Sequence, residues 1–167
     1  MQRGFTLIEL VMILLLIAIL AAVAIPRFSG YGAIKQGNAV MKIASDIRYA
    51  QNRATTTQQR SRVSFTGAAT YEVRYCTSYT QATCSCSSWN FATDPYTRGN
   101  FQVNLNNDFS GVTIANTVSL LEFDPLGRPY NGAVSCTASV GTTVAVKYGG
   151  EPDKNIIVQS QTGMVSY

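Results

Sequence analysis

The stretch Arg3-Gly4-Phe5-Thr6-Leu7-Ile8-Glu9-Leu10, with the apolar run behind it, decides the fold of this chain. From Phe5 to Ile25 there are 21 residues, of which only Thr6 and Glu9 are polar. At 1.5 Å rise per residue, a helix of this length measures roughly 30 Å, which is the thickness of a bilayer's hydrocarbon core. We therefore predict a transmembrane helix over residues 5–26.

The residues around this helix predict its orientation and its retention. A leader of four residues, 1–4, carries a positive charge at Arg3, which favours keeping that end in the cytoplasm. A secretory signal would end in a small-residue cleavage site, which Ala21-Ala22-Val23-Ala24 resembles. The carboxylate of Glu9 argues against a discarded signal, because an acid one turn into a membrane span is costly and indicates a function.

The spacing between Gly4 and Glu9 suggests what this carboxylate does. If the chain is cut after Gly4, Phe5 gains a free amino group four residues from Glu9. The ammonium and the carboxylate would then neutralise each other in the bilayer, within one chain or between neighbours. Burying the acid unpaired costs several kcal/mol, much of which pairing recovers. The alternative is that Glu9 extends to the lipid headgroups of an ordinary anchor.

Gly4-Phe5-Thr6-Leu7-Ile8-Glu9, the apolar run and Pro26 resemble the class III signal of type IV pilins and type II secretion pseudopilins. The resemblance implies cleavage after Gly4 by a prepilin peptidase and N-methylation of Phe5. It also implies that Glu9 pairs with the amino terminus of an adjacent subunit in a helical filament. Many members have glycine where this chain has Ala18, so the helix before Pro26 is expected to be stiffer here.

Composition predicts one exported domain after the apolar helix. The chain has 167 residues with only 13% charged, which suits a single β-rich domain with its own core. Histidine is absent, so Ser-His-Asp and Cys-His nucleophilic pairs and the usual metal triads are excluded. The net charge of +4 would fall to +3 on loss of Arg3. We predict no cofactor, no metal and no enzymatic activity.

Four cysteines, Cys76, Cys84, Cys86 and Cys136, lie in the part predicted to be outside the inner membrane. An even count in an oxidising compartment predicts two disulfides, with three connectivities to choose from. One residue separates Cys84 from Cys86, so we expect no bond between them. We expect one bridge to close the Cys76 to Cys86 region and the other to tie Cys136 to it. A four-thiolate zinc site is the alternative, although the spacing lacks the usual paired Cys-x-x-Cys.

Beyond Pro26, which is expected to kink the helix, the pattern becomes amphipathic. Apolar or small residues recur at three- and four-residue spacing, which places them on one helix face. They are Ile34, Gly37, Val40, Ile43, Ile47, Ala50 and Ala54. We predict one continuous, kinked helix from Phe5 to about Ala54, whose first half anchors or polymerises and whose second half packs on a sheet.

From Arg60 the period switches to two, which predicts strands. Val63 and Phe65, then Tyr71, Val73 and Tyr75, predict a β-hairpin around Gly67. Residues 77–99 are interpreted as an ordered loop. Further strands are predicted near 101–105, 112–115, 118–123, 133–138, 142–148 and 156–160, with turns at Asp124-Pro125-Leu126-Gly127 and Thr162-Gly163.

The predicted fold class is therefore α+β: a long N-terminal helix, transmembrane in its first half, packs by its second half against an antiparallel sheet folded into two layers. Residues 27–167 form the predicted globular domain. Four segments resemble the minor pseudopilin H and FimT-like minor pilins: 47–54, 62–65, 123–129 and 160–165. Minor pilins of mannose-sensitive haemagglutinin-type pili are similar too. The resemblance implies the pilin fold and a place at or near a filament tip.

The leading hypothesis for function is a low-abundance filament subunit of a type IV pilus. Its partners would be other pilin or pseudopilin subunits, the prepilin peptidase, the inner-membrane assembly platform and membrane lipid. It would be a single-pass inner-membrane protein with a periplasmic domain, and later part of an extracellular pilus or, alternatively, of the periplasmic pseudopilus of a type II secretion system.

A nucleic-acid-binding subunit is the second hypothesis. Between positions 27 and 62 there are seven basic residues and a single acidic one, Asp46. Contacts to a phosphate backbone require such a cluster of cations. The seven basic residues are Arg27, Lys35, Lys42, Arg48, Arg53, Arg60 and Arg62. These charges would equally suit lipid headgroups, acidic neighbours or the edge of a packed helix. The C-terminal half has few cations and no interleaving of basic and aromatic residues.

Catalysis is the third hypothesis and the weakest. Glu122, Asp124, Glu151 and Asp153 are the carboxylates that acid–base chemistry would need. Asp124 is better explained by its turn, and Glu151 and Asp153 by a solvated loop. That loop offers too few ligands to predict a calcium site.

Overall fold

The computed structural model describes residues 5–28, 31–80, 85–116, 119–131 and 139–167. Helix α1 spans Leu7–Phe28 and helix α2 spans Tyr31–Thr57. Pro26 lies within α1, which continues for two residues beyond it, and the kink predicted there stays a prediction. Over the residues that are described, no helix combines the length and the apolar character needed to cross a membrane. The transmembrane helix predicted over residues 5–26 is therefore not shown.

Helix α2 ends three residues later than predicted. The hydroxyls of Thr55 and Thr56 donate to the carbonyl of Asn52, and that of Thr57 donates to the carbonyl of Arg53. These bonds satisfy the threonine hydroxyls within the last turn, although threonine has a low helix propensity. The helix then stops at Gln58, whose φ of 55° is the left-handed conformation common just after a helix.

The rest of the chain is built mainly from short strands. In chain order they are β1 Ser61–Gly67, β2 Thr70–Thr80, β3 Ser85–Phe91, β4 Gln102–Asn104, β5 Val112–Asn116, β6 Leu120–Phe123, β7 Pro129–Tyr130, β8 Thr142–Tyr148, β9 Lys154–Val158 and β10 Val165–Ser166. A short helix, α3, spans Leu105–Asp108 after β4, where the Asn104 side chain accepts from the Asn106 N–H and caps its start.

The strands form two antiparallel sheets. The larger sheet has the order β3-β2-β1-β6-β7, with β4 also paired to β2, and the smaller has the order β10-β9-β8-β5. Both sheets contact α2 through its buried face. Ala39, Ile43, Ala44, Ile47 and Ala50 are fully buried on that face. The predicted α+β class, with a helix packed on antiparallel strands, is confirmed.

Most of the predicted strands are found in the structure. The hairpin around Gly67 is confirmed as β1 and β2, and five of the six later strands have counterparts in β4, β5, β6, β8 and β9. The strand predicted at 133–138 lies outside the described residues. The loop predicted at 77–99 is wrong, because β2 continues to Thr80 and β3 pairs with it from Arg74↔Phe91 to Thr80↔Ser85.

A disulfide joins β2 to β3. Cys76 and Cys86 are bonded, with their Cα atoms 5.8 Å apart, as the sequence predicts for this region. Cys84 and Cys136 lie outside the described residues, so the second predicted bridge and the zinc alternative stay predictions.

Removing this disulfide is expected to destabilise the domain. Cys76 and Cys86 close a loop of ten residues, so the double variant Cys76→Ser/Cys86→Ser should lower the free energy of unfolding by about 3 kcal/mol. Urea unfolding followed by the fluorescence of Trp89, which lies on β3, measures the change. An unchanged midpoint would show that the bridge does not constrain the unfolded chain.

Candidate assembly site

The first turn of α1 fixes the position of Glu9. The hydroxyl of Thr6 accepts a hydrogen bond from the Glu9 N–H at 3.3 Å, and the Thr6 carbonyl accepts from the Leu10 N–H at 3.2 Å. Thr6 is thus the N-cap and Glu9 the third helical residue, the spacing of a capping box. The carboxylate also lies at the helix end that favours negative charge. Sequence analysis missed this local role, although Thr-x-x-Glu signals it.

The surface of α1 is apolar and uncovered. Phe5 and every described side chain after it, up to Ala22, are exposed, and the large apolar side chains expose between 41% and 82% of their surface. Keeping such a surface in water costs about 25 cal/mol per Å², so it needs lipid or protein to cover it. Gly4, the other residue of the predicted cleavage site, lies outside the described residues.

The apolar surface extends onto α2. Tyr31, Ile34 and Met41 are large apolar side chains that are more than half exposed. Their spacing of three and seven residues places them on one stripe of the helix, opposite the buried face. We refer to α1 and this stripe together as the assembly surface.

A clamp holds the far end of α2 to two turns. The side-chain amide of Gln51 donates to the carbonyls of Gly127 and Thr162, both at 2.9 Å. Gly163 has a φ of 67°, and a Cβ on it would lie 2.3 Å from the Gly127 carbonyl oxygen. Three of the four segments that sequence analysis singled out, 47–54, 123–129 and 160–165, meet here.

Asp124 organises the first of these turns. Its carboxylate is buried and accepts from the N–H groups of Leu126 and Arg128, from Arg128 Nε at 2.8 Å, and from the Tyr130 hydroxyl. Gly127 follows with a φ of 80°. The interpretation of Asp124 as a turn residue is confirmed, because its acceptor positions are already occupied.

Asp153, one of the carboxylates considered for a calcium site, has a basic partner. Asp153 Oδ2 is 3.1 Å from Lys147 Nζ. In the described ranges, no group of three or more His, Cys, Asp or Glu side chains is placed to hold a metal ion.

Most members of the basic cluster are held within the domain. Arg48 donates to the Val165 carbonyl at 2.8 Å, and the Arg53 guanidinium lies 4.0 Å from the Tyr75 ring centroid. Arg60 is only 5% exposed and has Glu122 at 3.5 Å. Because these cations pack on protein groups, they are poorly placed to neutralise phosphates. The edge-of-helix interpretation fits Arg48 and Arg53 better.

Basic and aromatic residues nevertheless interleave on the larger sheet. Arg62 stacks on Trp89 and Arg74 on Phe91, each at 4.1 Å from the ring centroid. The rings come from β3 and the cations from β1 and β2. The expectation of no such interleaving among the cations of the C-terminal half is not contradicted, because both arginines precede that half. Strand pairing unites residues here that are distant in sequence.

Asp46 is buried between Lys42 and Tyr71. Lys42 Nζ lies 2.6 Å from its Oδ2, and the Tyr71 hydroxyl donates to the same oxygen. Burial raises the pKa of Asp46 above its ordinary value, although the hydrogen bonds from Lys42 and Tyr71 oppose this. Sequence analysis counted Asp46 as a lone acid in a basic segment and missed its role in joining α2 to β2.

This burial gives the domain a pH dependence. The folded chain holds the Asp46 proton more tightly than the unfolded chain, so the free energy of unfolding falls as pH rises through the folded pKa. Burial raises the pKa of Glu122 too, which adds a slope of the same sign. Asp46→Asn should remove the contribution of Asp46 to this slope. Urea unfolding between about pH 4 and about pH 7 measures the slope. Asp108→Asn, at an exposed acid, is the control; equal slopes in both variants would contradict the prediction.

Comparisons with known proteins agree with this arrangement. Residues 1–25 match the family model described as the prokaryotic N-terminal methylation motif. The type IV major fimbrial protein FimA of Dichelobacter nodosus is 46% identical over 50 residues, which cover 30% of this chain and 32% of FimA. The match thus spans about a third of the length of these curated relatives.

Two solved structures have a similar fold. The type IV minor pilin FimU of Pseudomonas aeruginosa aligns with a TM-score of 0.51 and 13% identity, over 80% of this chain and 88% of its own. The minor pseudopilin EpsH of the Vibrio cholerae type 2 secretion system aligns with a TM-score of 0.55 and 9% identity, over 79% and 94%. At these identities the likeness shows the fold alone.

The chain thus has an N-terminal methylation motif over residues 1–25 and a helix-on-sheet fold similar to that of FimU and EpsH. These likenesses support the resemblance to type IV pilins and pseudopilins that the sequence predicts. That the chain lacks enzymatic activity stays a prediction.

Proposed function

We propose that this chain is a minor subunit of a type IV pilus, cleaved after Gly4 by a prepilin peptidase, N-methylated on Phe5 and assembled through α1. The observation that carries the proposal is the uncovered apolar surface of α1, with Glu9 in its first turn, in a segment whose residues 1–25 match a methylation motif. The charge pair that Glu9 forms with the amino group of a neighbouring Phe5 would set the stagger between subunits.

The proposal also assigns a location to each part of the chain. Before assembly, residues 5–26 are inserted in the inner membrane beside the assembly platform, and the globular domain, 27–167, lies in the periplasm. On assembly, the helix leaves lipid for the apolar core of the filament, where helices of other subunits cover it. The sheet domain then faces outward.

A minor pseudopilin of a type II secretion system is the second candidate. The likeness to EpsH supports it as much as the likeness to FimU supports the pilus. Deletion of the gene separates the two. A pilus subunit is supported if surface filaments decrease while exoprotein secretion is unchanged, and the reverse result supports a pseudopilin.

Processing gives the most direct test of the proposal. Gly4→Leu places a bulky side chain at the cleavage site, so we expect the uncut precursor to accumulate, longer by the four leader residues. Gln2→Leu changes the leader away from the cut and should be processed normally. Mass spectrometry of the N-terminus should find N-methylated Phe5 in the wild type and Met1 in Gly4→Leu. A mature chain beginning near Ala24 would refute the proposal.

A further inference from the structure

The outer face of the larger sheet carries a cleft that assembly through α1 does not use. It is open to solvent, has a volume of about 380 Å³ and lies between the β1–β2 hairpin, β4 and α3. Six polar side chains line it: Thr66, Thr70, Glu72, Gln102, Asn104 and Asn107. We call this the polar cleft. Its volume is within the range of small-ligand sites, roughly 300 to 1,000 Å³.

Strand pairing fixes the positions of the cleft residues. Tyr71 points toward α2, where it bonds Asp46, so its neighbours Thr70 and Glu72 point away from the helix. Asn104 is the register partner of Thr70, and Gln102 is the partner of Glu72. Side chains directly opposite in an antiparallel pair have Cβ atoms about 5 Å apart. The cleft is therefore built on paired strands, which place hydrogen-bonding groups more rigidly than loops do.

The chemistry of the cleft suits a polyhydroxyl ligand. Amide and hydroxyl side chains offer both donors and acceptors, as a sugar hydroxyl does. The hydroxyls of Thr66 and Thr70 bond each other at 3.0 Å. Gln102 and Asn107 are exposed, and within the part of the chain that the structure describes no protein group is recorded against their amides. These two amides are available to a ligand.

Charge excludes most other ligand classes. Glu72 Oε1 lies 2.7 Å from Arg74 Nε, so the single carboxylate of the cleft is already neutralised. A polyanion needs unpaired cations, and a divalent cation needs several carboxylate or carbonyl oxygens. The cleft offers neither and selects an uncharged ligand.

An arginine stacked on an aromatic ring continues the surface of the cleft along β2. Arg74 is two residues beyond Glu72, about 7 Å along the strand, and its register partner is Phe91. The Phe91 ring is half-buried beneath the Arg74 guanidinium. The guanidinium thus covers the ring face next to the cleft, and its N–H groups are donors that a sugar hydroxyl can accept from. We propose that the polar cleft binds a neutral oligosaccharide, with hydroxyls of one sugar in the cleft and the next sugar against the Arg74 guanidinium that Phe91 supports.

Amide NMR spectra of the ¹⁵N-labelled full chain in phosphocholine micelles test this proposal directly. Lactose, cellobiose and N,N′-diacetylchitobiose are the probes. We expect at least one disaccharide to shift the amide signals of Thr70, Gln102 and Asn107. Losing one hydrogen bond should weaken binding about threefold to tenfold in Gln102→Ala and in Asn107→Ala. Phe91→Leu should weaken binding of the disaccharide, and Asn38→Ala, at an exposed amide on α2, should leave it unchanged.

Three results would overturn the proposal: no shift with any of the three disaccharides, unchanged affinity in both cleft variants, or displacement of the same signals by a short DNA duplex with loss at higher salt. The last would identify a polyanion site instead. Urea unfolding of each variant shows whether it is folded. Because binding is measured on the unassembled chain, the result is independent of whether the chain is cleaved or enters a filament.

Discussion

Gly163→Ala is expected to lower the free energy of unfolding by about 3 kcal/mol or more. The residue has a φ of 67°, where an L side chain costs roughly 1 kcal/mol or more. The added Cβ would also lie 2.3 Å from the Gly127 carbonyl oxygen and 2.5 Å from Gln51 Nε2. A rigid backbone atom cannot move away as a flexible side chain would, so the two turns must separate and the Gln51 hydrogen bonds weaken. A loss of this size is a large fraction of a domain's stability, about 5 to 15 kcal/mol.

Two other glycines separate backbone strain from the clash. Gly149 has a φ of 51° with open space around its Cβ position, so Gly149→Ala should show the backbone cost alone, about 1 kcal/mol. Gly150 has neither feature, and Gly150→Ala should change stability by less than about 0.5 kcal/mol. Urea unfolding of the three variants, followed by Trp89 fluorescence, provides the comparison. Equal losses in Gly163→Ala and Gly149→Ala would show that the clamp is not tightly packed.

This clamp illustrates what sequence analysis could predict and what it could not. Asp124-Pro125-Leu126-Gly127 and Thr162-Gly163 were predictable as turns, because their residues have local conformational preferences. Their contact with each other and with Gln51 was not predictable, since it depends on how α2 packs on both sheets. Glycine at 163 is explained by this distant contact in addition to its turn.

Periodicity predicted the buried face of α2 and the β1–β2 hairpin, where apolar residues alternate with polar ones. Periodicity failed at 77–99, where the many Ser, Thr and Cys residues resemble the composition of a loop. There, strand β3 is specified by backbone pairing with β2 and by the Cys76–Cys86 bridge instead of by an apolar pattern. The stacking of Arg62 on Trp89 was hidden for the same reason, because it depends on the register between strands.

At the assembly site, sequence predicted the apolar helix and singled out Glu9, but not the hydrogen bond from the Glu9 N–H to the Thr6 hydroxyl, which has the spacing of a capping box. That local role changes how the carboxylate must be tested. Glutamine at the third helical position still suits a capping box, whereas it cannot form an ion pair. A Glu9→Gln variant therefore separates assembly chemistry from helix capping.

Glu9→Gln is expected to reduce incorporation into filaments by roughly 100-fold or more. An amino terminus left unpaired in an apolar core costs about 3 to 5 kcal/mol, and each 1.4 kcal/mol is a factor of ten. The globular domain should keep its stability, since Glu9 is exposed at the far end of α1 from the described sheets. The fraction of the chain in sheared filaments, relative to total membrane, measures incorporation by immunoblotting.

Thr6→Ala is the matched control, because it removes the N-cap that bonds the Glu9 N–H and leaves the charge in place. Losing a cap costs about 1 kcal/mol of helix stability, so incorporation should fall only a few-fold. If Thr6→Ala impairs assembly as strongly as Glu9→Gln, helix capping and not charge pairing controls incorporation. If Glu9→Gln assembles like the wild type, the carboxylate is not the group that sets the stagger between subunits, and the uncovered apolar surface of α1 must determine the packing by shape alone.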